Sequence, residues 1–199
     1  MEGILFDVGG VLVGQNGMLA SALEVFAGVD RDAFWNLLNE AALPACRGEE
    51  RLADCWRRMA SELGVQIPEE RLRTLWIEDF REGIVLHEDV LGLARDLMRR
   101  HKVGIVSNSI VEHSSILAEM GIYDGFDPVV LSHEARMTKD DRRIFDLALA
   151  RIGTAAQRTL FIDDVERFAR TAETTGMQVI VYRDPGQLRR SLEALGFEL

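Results

Sequence analysis

Apolar residues recur along this chain with two different spacings, and each spacing predicts a different kind of element. Short continuous apolar runs lie at residues 4–6, 103–106, 129–131, 159–162 and 178–182. Runs of this length predict strands of a parallel sheet that are buried on both faces. From residue 83 onward, segments with helical spacing separate the runs. The alternation predicts an α/β protein, a Rossmann-like parallel sheet with helices on both faces.

One long segment interrupts this alternation. From about residue 18 to residue 82 the spacing is helical throughout, which predicts about four helices inserted after the first strand. Residues 13–17, just before it, predict a tight turn or a short hairpin. The three tryptophans lie in or beside these helices. Trp56 and Trp76 occupy apolar stripes, which favours packing inside the insertion over stacking on a ligand.

Polar side chains stand at the points where three of the predicted strands end. Asp7 follows the first run, Ser107–Asn108 follow the second, and Asp163–Asp164 follow the fourth. Lys139 lies just before a helical segment. In an open α/β sheet the carboxyl ends of the strands share one edge, where ligands bind. Three carboxylates, one cation and two small polar side chains suit a phosphate together with a divalent metal.

Each of these residues also has a purely structural interpretation. Asp7 can cap a turn, Ser107–Asn108 favour a strand-to-helix turn, and Lys139 can be an ordinary solvated lysine. Asp163–Asp164 can cap the following helix, but a cap needs only one carboxylate. Two adjacent carboxylates with a third nearby repel one another unless a cation lies among them, so this pair favours a metal site.

Composition narrows the functional classes. The chain has 199 residues, 47% of them hydrophobic, which is enough for one α/β core and a modest insertion. The net charge of −10 argues against a general nucleic-acid-binding protein. There is no basic, apolar leader pattern, and no apolar run reaches the length of a membrane span. Two cysteines are weak evidence for an oxidising compartment. We therefore expect a cytoplasmic monomer or homodimer.

The order and spacing of the four polar stretches resemble the haloacid dehalogenase (HAD) superfamily. The segment Asp7-Val8-Gly9-Gly10-Val11 is similar to the D-x-G-[GN]-V motif of its small bacterial sugar-phosphatase branch. Residues 47–50 and 131–137 also resemble that branch. The resemblance implies a catalytic core of residues 1–14 and 83–199 and a helical C1-type cap of residues 15–82. The linkers near residues 14–17 and 82–85 are then the hinge candidates.

The same resemblance implies a function and a set of roles. The protein would be a Mg2+-dependent phosphatase acting on a small phosphorylated metabolite through an aspartyl-phosphate on Asp7. The metal ligands would be Asp7, the Gly9 carbonyl and the pair Asp163–Asp164. Lys139 would contact phosphate and nucleophile, and Ser107–Asn108 would hold phosphate oxygens. Arg47 is the candidate for a cap residue that reaches the substrate.

Three positions depart from the patterns of the superfamily. Most HAD phosphatases carry an acid–base aspartate where this chain has Gly9, although the resembled branch also has glycine there. Asp140 replaces a proline and Phe168 replaces an asparagine of that branch. Two alternatives therefore stay open. One is a non-catalytic protein that binds phosphate or a partner, and the other is a metal-independent dehalogenase-type hydrolase, against which Gly9-Gly10-Val11 and Asp163–Asp164 argue.

Overall fold

A parallel sheet forms the centre of the protein in the computed structural model, which describes residues 1–16 and 20–199. The strands in chain order are β1 (Gly3–Phe6), β2 (Val13–Gln15), β3 (Ile84–Leu86), β4 (Lys102–Ser107), β5 (Val129–Leu131), β6 (Thr159–Asp163) and β7 (Gln178–Val181). Within the described residues, five of them form one parallel sheet in the order β5-β4-β1-β6-β7. These are the five strands that the apolar runs predict, and the predicted fold class is confirmed.

Helices cover both faces of this sheet. The helices outside the insertion are α7 (Glu88–Leu97), α8 (Val111–Glu119), α9 (Ser132–Ala135), α10 (Arg143–Ile152), α11 (Glu166–Glu173) and α12 (Pro185–Ala194). Because side chains alternate along a strand, Ile4 and Phe6 face α7, α8 and α12, whereas Leu5 faces α10 and α11. The two faces are therefore both buried, as the continuous apolar runs require.

The insertion has a hydrophobic core of its own. Its described helices are α1 (Ala20–Val25), α2 (Arg31–Ala41), α3 (Leu43–Cys46), α4 (Leu52–Glu62), α5 (Glu69–Thr74) and α6 (Ile77–Gly83), six where the spacing predicts about four. Trp56 is fully buried at the centre of this core and its indole N–H donates to the Leu75 carbonyl over 3.2 Å, so its predicted packing role is confirmed. Residues 18 and 19, where the predicted helical segment begins, lie outside the described residues.

The two chain segments that connect the insertion to the core pair with each other. Strands β2 and β3 form an antiparallel ribbon in which Val13 lies opposite Leu86 and Gln15 lies opposite Ile84. The predicted local hairpin at residues 13–17 is therefore wrong for residues 13–15, and residue 17 lies outside the described part of the chain. The partner strand comes from the far end of the insertion, a pairing that no local pattern reveals.

Candidate active site

The carboxyl ends of three adjacent strands bring the predicted polar residues together. Strand β1 lies between β4 and β6, so Asp7 stands between Ser107–Asn108 on one side and Asp163–Asp164 on the other. The backbone N–H of Asp7 donates to the Ile162 carbonyl over 2.9 Å and so extends the pairing of β1 with β6 by one residue. Asp7 is 5% exposed, which makes its carboxylate part of a buried site.

Lys139 bridges two of these carboxylates. Its Nζ lies 2.8 Å from Asp7 Oδ1 and 2.7 Å from Asp163 Oδ2, and the residue is 1% exposed. Its backbone N–H donates to Asn108 Oδ1 over 2.8 Å, so the end of β4 holds the segment that carries the lysine. A buried lysine with two carboxylate partners is not a solvated surface cation, and the purely structural interpretation of Lys139 is wrong.

Burial and charge oppose each other in this cluster. Burial raises the pKa of Asp7 to about 6, although the positive charge of Lys139 favours the ionised carboxylate. Burial alone would lower the pKa of Lys139, but the charges of Asp7 and Asp163 more than offset this and hold that pKa above its ordinary value. The lysine is therefore cationic, and Asp7 is a carboxylate whose negative charge is poorly solvated.

The two carboxylates at the end of β6 differ in their exposure and in their hydrogen bonds. Asp163 is fully buried, and its oxygens accept hydrogen bonds from Lys139 Nζ and, over 2.8 Å, from the backbone N–H of Val165. Asp164 is exposed and approaches Gly10. Partial burial and then the neighbouring charge of Asp163 raise the pKa of Asp164. Asp164 thus has oxygen atoms to offer to a ligand, whereas Asp163 is occupied by protein donors.

Three carboxylates can converge on one cation here. Asp7, Asp163 and Asp164 each present an oxygen, and the three oxygens lie within 4.8 Å of one another. Oxygen donors are the ligands that Mg2+ prefers, and the charges of Asp163 and Asp164 disfavour each other without a nearby cation. The donor set therefore fits a magnesium ion.

Gly10 is the one residue of the turn after β1 where a side chain would collide with this set. Its φ is +81°, and a Cβ there would lie 2.3 Å from Asp164 Oδ2. We expect Gly10→Ala to lower the free energy of unfolding by about 1–2 kcal/mol, the cost of a left-handed backbone for alanine, and to weaken Mg2+ binding because Asp164 must move. Chemical unfolding and Mg2+ titration measure the two effects.

Gly9→Ala is the matched control for stability. Gly9 does not have a positive φ, and a Cβ there meets nothing within 4 Å among the described residues. We expect its free energy of unfolding to stay within about 0.5 kcal/mol of the wild-type value. If the free energy of unfolding fell equally in the two variants, neither the left-handed backbone of Gly10 nor its contact with Asp164 would explain the glycine at this position.

Two of the departures from the resembled branch have partners in the structure. The carboxylate of Asp140 lies 3.0 Å from Arg167 Nε, so its charge is paired rather than directed at Lys139. The ring of Phe168 lies 4.7 Å from Lys139 Nζ, a cation–π distance, and Arg167 stacks over the same ring at 4.8 Å. Arg167 therefore offsets the charge of Asp140, and the Phe168 ring contacts the lysine directly.

Of the remaining predicted residues, Ser107 lies at the candidate site and Arg47 lies on the insertion. Ser107 is buried at the end of β4, and its hydroxyl donates to the Asn108 carbonyl over 3.4 Å. Arg47 pairs with Glu49, with Nε–Oε1 and Nη2–Oε2 distances of 2.7 and 2.9 Å, at the surface of the insertion. Within the described residues, Arg47 forms no hydrogen bond or ion pair with Asp7 or Lys139, so its substrate role stays a prediction.

Sequence reasoning places Trp76 in the core of the insertion and misses its position beside the candidate site. Trp76 packs edge-on against Trp56 with ring centroids 5.9 Å apart, as its stripe position predicts. Its indole also lines a cavity beside Gly9 and Asn108, which the stripe does not predict. Its φ is 69°, a conformation that costs a bulky residue about 1–3 kcal/mol and is typical of functional sites.

Comparison with known families identifies the class of protein to which this fold and site belong. Residues 1–172 match the family described as haloacid dehalogenase-like hydrolase. This chain therefore belongs to the haloacid dehalogenase-like hydrolases. In the described part of the chain, no helix combines the length and the apolar character needed to cross a bilayer.

Two relatives of this chain carry phosphatase names. The chain is 28% identical over 141 residues to a phosphatase of Mycobacterium tuberculosis, covering 68% of this chain and 64% of that protein. It thus spans less than two thirds of that relative's length. It is 26% identical over 183 residues to the glyceraldehyde 3-phosphate phosphatase of Methanothermobacter thermautotrophicus, covering 81% of this chain and 76% of that protein.

Solved structures share the fold. A HAD family enzyme of Bacteroides thetaiotaomicron in a magnesium complex superposes with a TM-score of 0.78 at 20% identity, covering 96% of this chain and 98% of that one. The wild-type enzyme with magnesium and inorganic phosphate gives a TM-score of 0.72 at 21% identity, covering 94% and 98%. At these identities the likeness shows the fold alone.

Proposed function

We propose that this protein is a Mg2+-dependent phosphatase of small phosphomonoesters, with Asp7 as the nucleophile. The observation that carries this proposal is the buried Lys139, whose Nζ lies within 2.8 Å of both Asp7 and Asp163, beside the free carboxylate of Asp164. The arrangement combines a nucleophile, a cation and a cluster of metal-binding oxygens at one sheet edge. The phosphatase names of two relatives and the magnesium and phosphate in one structural neighbour support it.

Each residue has a distinct role in this mechanism. A carboxylate oxygen of Asp7 attacks phosphorus, the bond to the leaving oxygen breaks, and that oxygen takes a proton from solvent water. A water molecule then hydrolyses the aspartyl-phosphate, which releases inorganic phosphate and restores the Asp7 carboxylate. Lys139 keeps Asp7 ionised and oriented and attracts the phosphate as a point charge. Ser107 and Asn108 contribute polar groups toward the phosphate oxygens, and the Asn108 side chain positions the Lys139 backbone.

The metal ligands in this proposal are Asp7, the Gly9 carbonyl and Asp164. Asp164 is preferred over Asp163 as the direct ligand because both oxygens of Asp163 already accept protein hydrogen bonds. Asp163 then acts by holding Lys139 in place. Bound Mg2+ supplies positive charge that offsets the charge of the phosphate and of the carboxylates.

The helical insertion, residues 15–82, is the proposed cap. It has its own core, and that core reaches the sheet domain through Ile110 at the start of α8. Residues from both parts line the cavities beside Asn108. A cap in this place covers the phosphate site and excludes water while it selects the leaving group.

The test is phosphate release from p-nitrophenyl phosphate with Mg2+ and after removal of Mg2+ by EDTA. We expect release that falls at least about 10²-fold in EDTA and returns when Mg2+ is restored, since the carboxylate cluster then lacks its cation. Chloride release from 2-chloropropionate should be absent. EDTA-resistant chloride release would favour the dehalogenase alternative, and Mg2+ binding with no turnover on a broad panel would favour the binding protein.

A further inference from the structure

The ammonium group of Lys139 has three N–H donors but two oxygen partners. Asp7 Oδ1 lies 2.8 Å from Nζ and Asp163 Oδ2 lies 2.7 Å from it, and no third oxygen of the described residues bonds to Nζ. The lysine side chain is 2% exposed, so solvent has little access to it. Buried donors are nearly always paired, so the surroundings of the third N–H need an explanation.

An aromatic ring lies close to the same ammonium group. Nζ lies over the Phe168 ring, 4.7 Å from its centroid, whereas the ring of Phe161 is 6.0 Å away, at the outer limit for such a contact. The face of an aromatic ring carries negative electrostatic potential and attracts a cation or an N–H group. This attraction is strongest where water is excluded, as it is around Lys139. Among the described residues, Phe168 is therefore the nearest aromatic partner of the lysine.

The position of this ring is fixed through Asp163. Phe168 lies on α11, and its backbone N–H donates to the Val165 carbonyl over 3.0 Å. The Val165 N–H donates to Asp163 Oδ1 over 2.8 Å, while Asp163 Oδ2 accepts from Lys139 Nζ. One carboxylate therefore holds both the lysine and the start of the helix that carries the ring.

A second contact joins the neighbouring residues of the same two segments. Asp140 follows Lys139 and Arg167 precedes Phe168, and the Asp140 carboxylate lies 3.0 Å from Arg167 Nε. Both side chains of this pair are exposed, so the pair contributes little stability by itself. It does connect the segment of the lysine to the segment of the ring at consecutive positions.

Phe168 also separates the lysine from solvent. The residue is 8% exposed and lines a cavity of about 540 Å³ together with Asn108, Asp140 and Arg167. Lys139 is not among the described residues that line this cavity, although its Nζ contacts the ring. The ring is therefore part of the wall between the cavity and the ammonium group. Water at Nζ would screen its attraction for a phosphate and compete for its hydrogen bonds.

We propose that Phe168 is a positioning residue, whose ring holds the Lys139 ammonium group beside Asp7 and keeps water away from it. A carboxylate or amide oxygen in place of the ring would accept the third N–H in a directed hydrogen bond. The ring attracts the ammonium group without such a bond, so a phosphate oxygen can accept that N–H. The inference rests on the phosphatase activity proposed above, and it assigns Phe168 no contact with the reacting atoms.

Phe168→Leu removes the aromatic face and keeps a large apolar side chain. Calorimetric titration with inorganic phosphate in the presence of Mg2+ then reports how well the lysine is placed, and it needs no turnover. We expect the Kd for phosphate to rise about five- to tenfold, the value of a cation–π contact from which water is excluded. Loss of folded protein would lower the binding stoichiometry and leave the Kd unchanged, so the Kd separates positioning from damage to the fold.

Phe197→Leu is the matched control. Phe197 is 7% exposed, and its ring packs against His101 with centroids 5.0 Å apart. His101 directly precedes β4, so this contact lies at the end of the strand opposite to Ser107 and the candidate site. The substitution should lower the melting temperature and leave the Kd for phosphate unchanged.

Fluorinated phenylalanines incorporated at position 168 test the electrostatics of the ring. Each added fluorine withdraws electron density from the ring face and changes its size little, so the Kd for phosphate should rise with each fluorine. Because Arg167 contacts the same ring, the series is repeated with Arg167→Gln, where the dependence on fluorine should remain. A Kd that rises in Phe168→Leu and does not depend on fluorine would mean that the ring acts by its volume alone, which overturns the inference.

The wild-type protein separates this inference from the proposed function. Phosphate binding and turnover of p-nitrophenyl phosphate, with an unchanged Kd in Phe168→Leu, overturn the role of Phe168 and leave the phosphatase proposal intact. If the wild-type protein binds phosphate without turnover, the phosphatase proposal fails and the Kd series still decides the role of the ring. Absence of both binding and turnover contradicts the proposed function and this inference together.

Discussion

An Asp7→Asn variant should release phosphate at least about 10³-fold more slowly than the wild-type protein, while its thermal stability stays equal or increases. Activity falls because the asparagine amide cannot attack phosphorus to form the acyl phosphate. Stability is retained because burial raises the pKa of Asp7 to about 6, which means that the fold disfavours the very charge that the mechanism needs. Phosphate release and calorimetry on the same preparation measure the two effects.

Asp146→Asn is the matched control for this substitution. Asp146 lies on α10, and its half-exposed side chain pairs only loosely with Arg142 over 3.4 Å. Activity and stability should both stay close to the wild-type values, as expected for an exposed pair. If Asp7→Asn kept more than a tenth of the wild-type rate, Asp7 would not be the nucleophile. A marked loss of stability would contradict the account of its buried charge.

Lys139→Met should lose both activity and stability. Methionine is of similar length and carries no charge, so Asp7 and Asp163 would face each other in a buried site without their common partner. Removing one member of a buried ion pair typically costs about 3–5 kcal/mol, and two carboxylates depend on this lysine. We expect a loss of that size in denaturant unfolding and a decrease of at least about 10²-fold in phosphate release.

The contrast with Asp7→Asn is informative, because both substitutions should inactivate the protein and only one should destabilise it. Arg143→Met is the matched control, since it removes a cation from an exposed pair with Asp141 close by in sequence. Its effect on stability should be small beside that of Lys139→Met, because solvent screens an exposed pair. A stable Lys139→Met protein would indicate that protonation of Asp7 replaces the lysine at little cost.

The sequence could predict the sheet and the polar residues at its edge because both are local patterns. A continuous apolar run identifies a buried strand, and the residue after it, such as Asp7 or Asp163, is placed at the sheet edge by chain connectivity alone. The observed order of the strands, with β1 between β4 and β6, then brings these residues together. The ion pairs of Lys139 agree with the role that family resemblance implies for it.

The parts that could not be predicted depend on contacts between distant segments. Strands β2 and β3 are short and pair across the whole insertion, so neither carries a hairpin signal. The pairing of Asp140 with Arg167 likewise joins two separate segments, and no local pattern reveals it.

Leu72, Leu75, Trp76 and Phe80 have the spacing of one helical stripe, which predicts that Trp76 packs in the core of the insertion. The structure breaks that stripe into α5 and α6 at a left-handed residue, Trp76 itself. Trp76 thus packs on Trp56 as the stripe predicts and also lines the cavity beside Gly9. Periodicity cannot detect a break that leaves the apolar spacing intact.

The ribbon of β2 and β3 has a mechanical consequence. Two unpaired linkers would let the helical insertion reorient freely. Two strands joined by hydrogen bonds resist sliding past each other, and their softest deformation is a twist. We therefore expect any rotation of the insertion relative to the sheet domain to occur as a twist of this ribbon, about one preferred axis. Gln15 lies on the ribbon and lines the cavity beside Gly9, so such a twist would change the volume of that cavity.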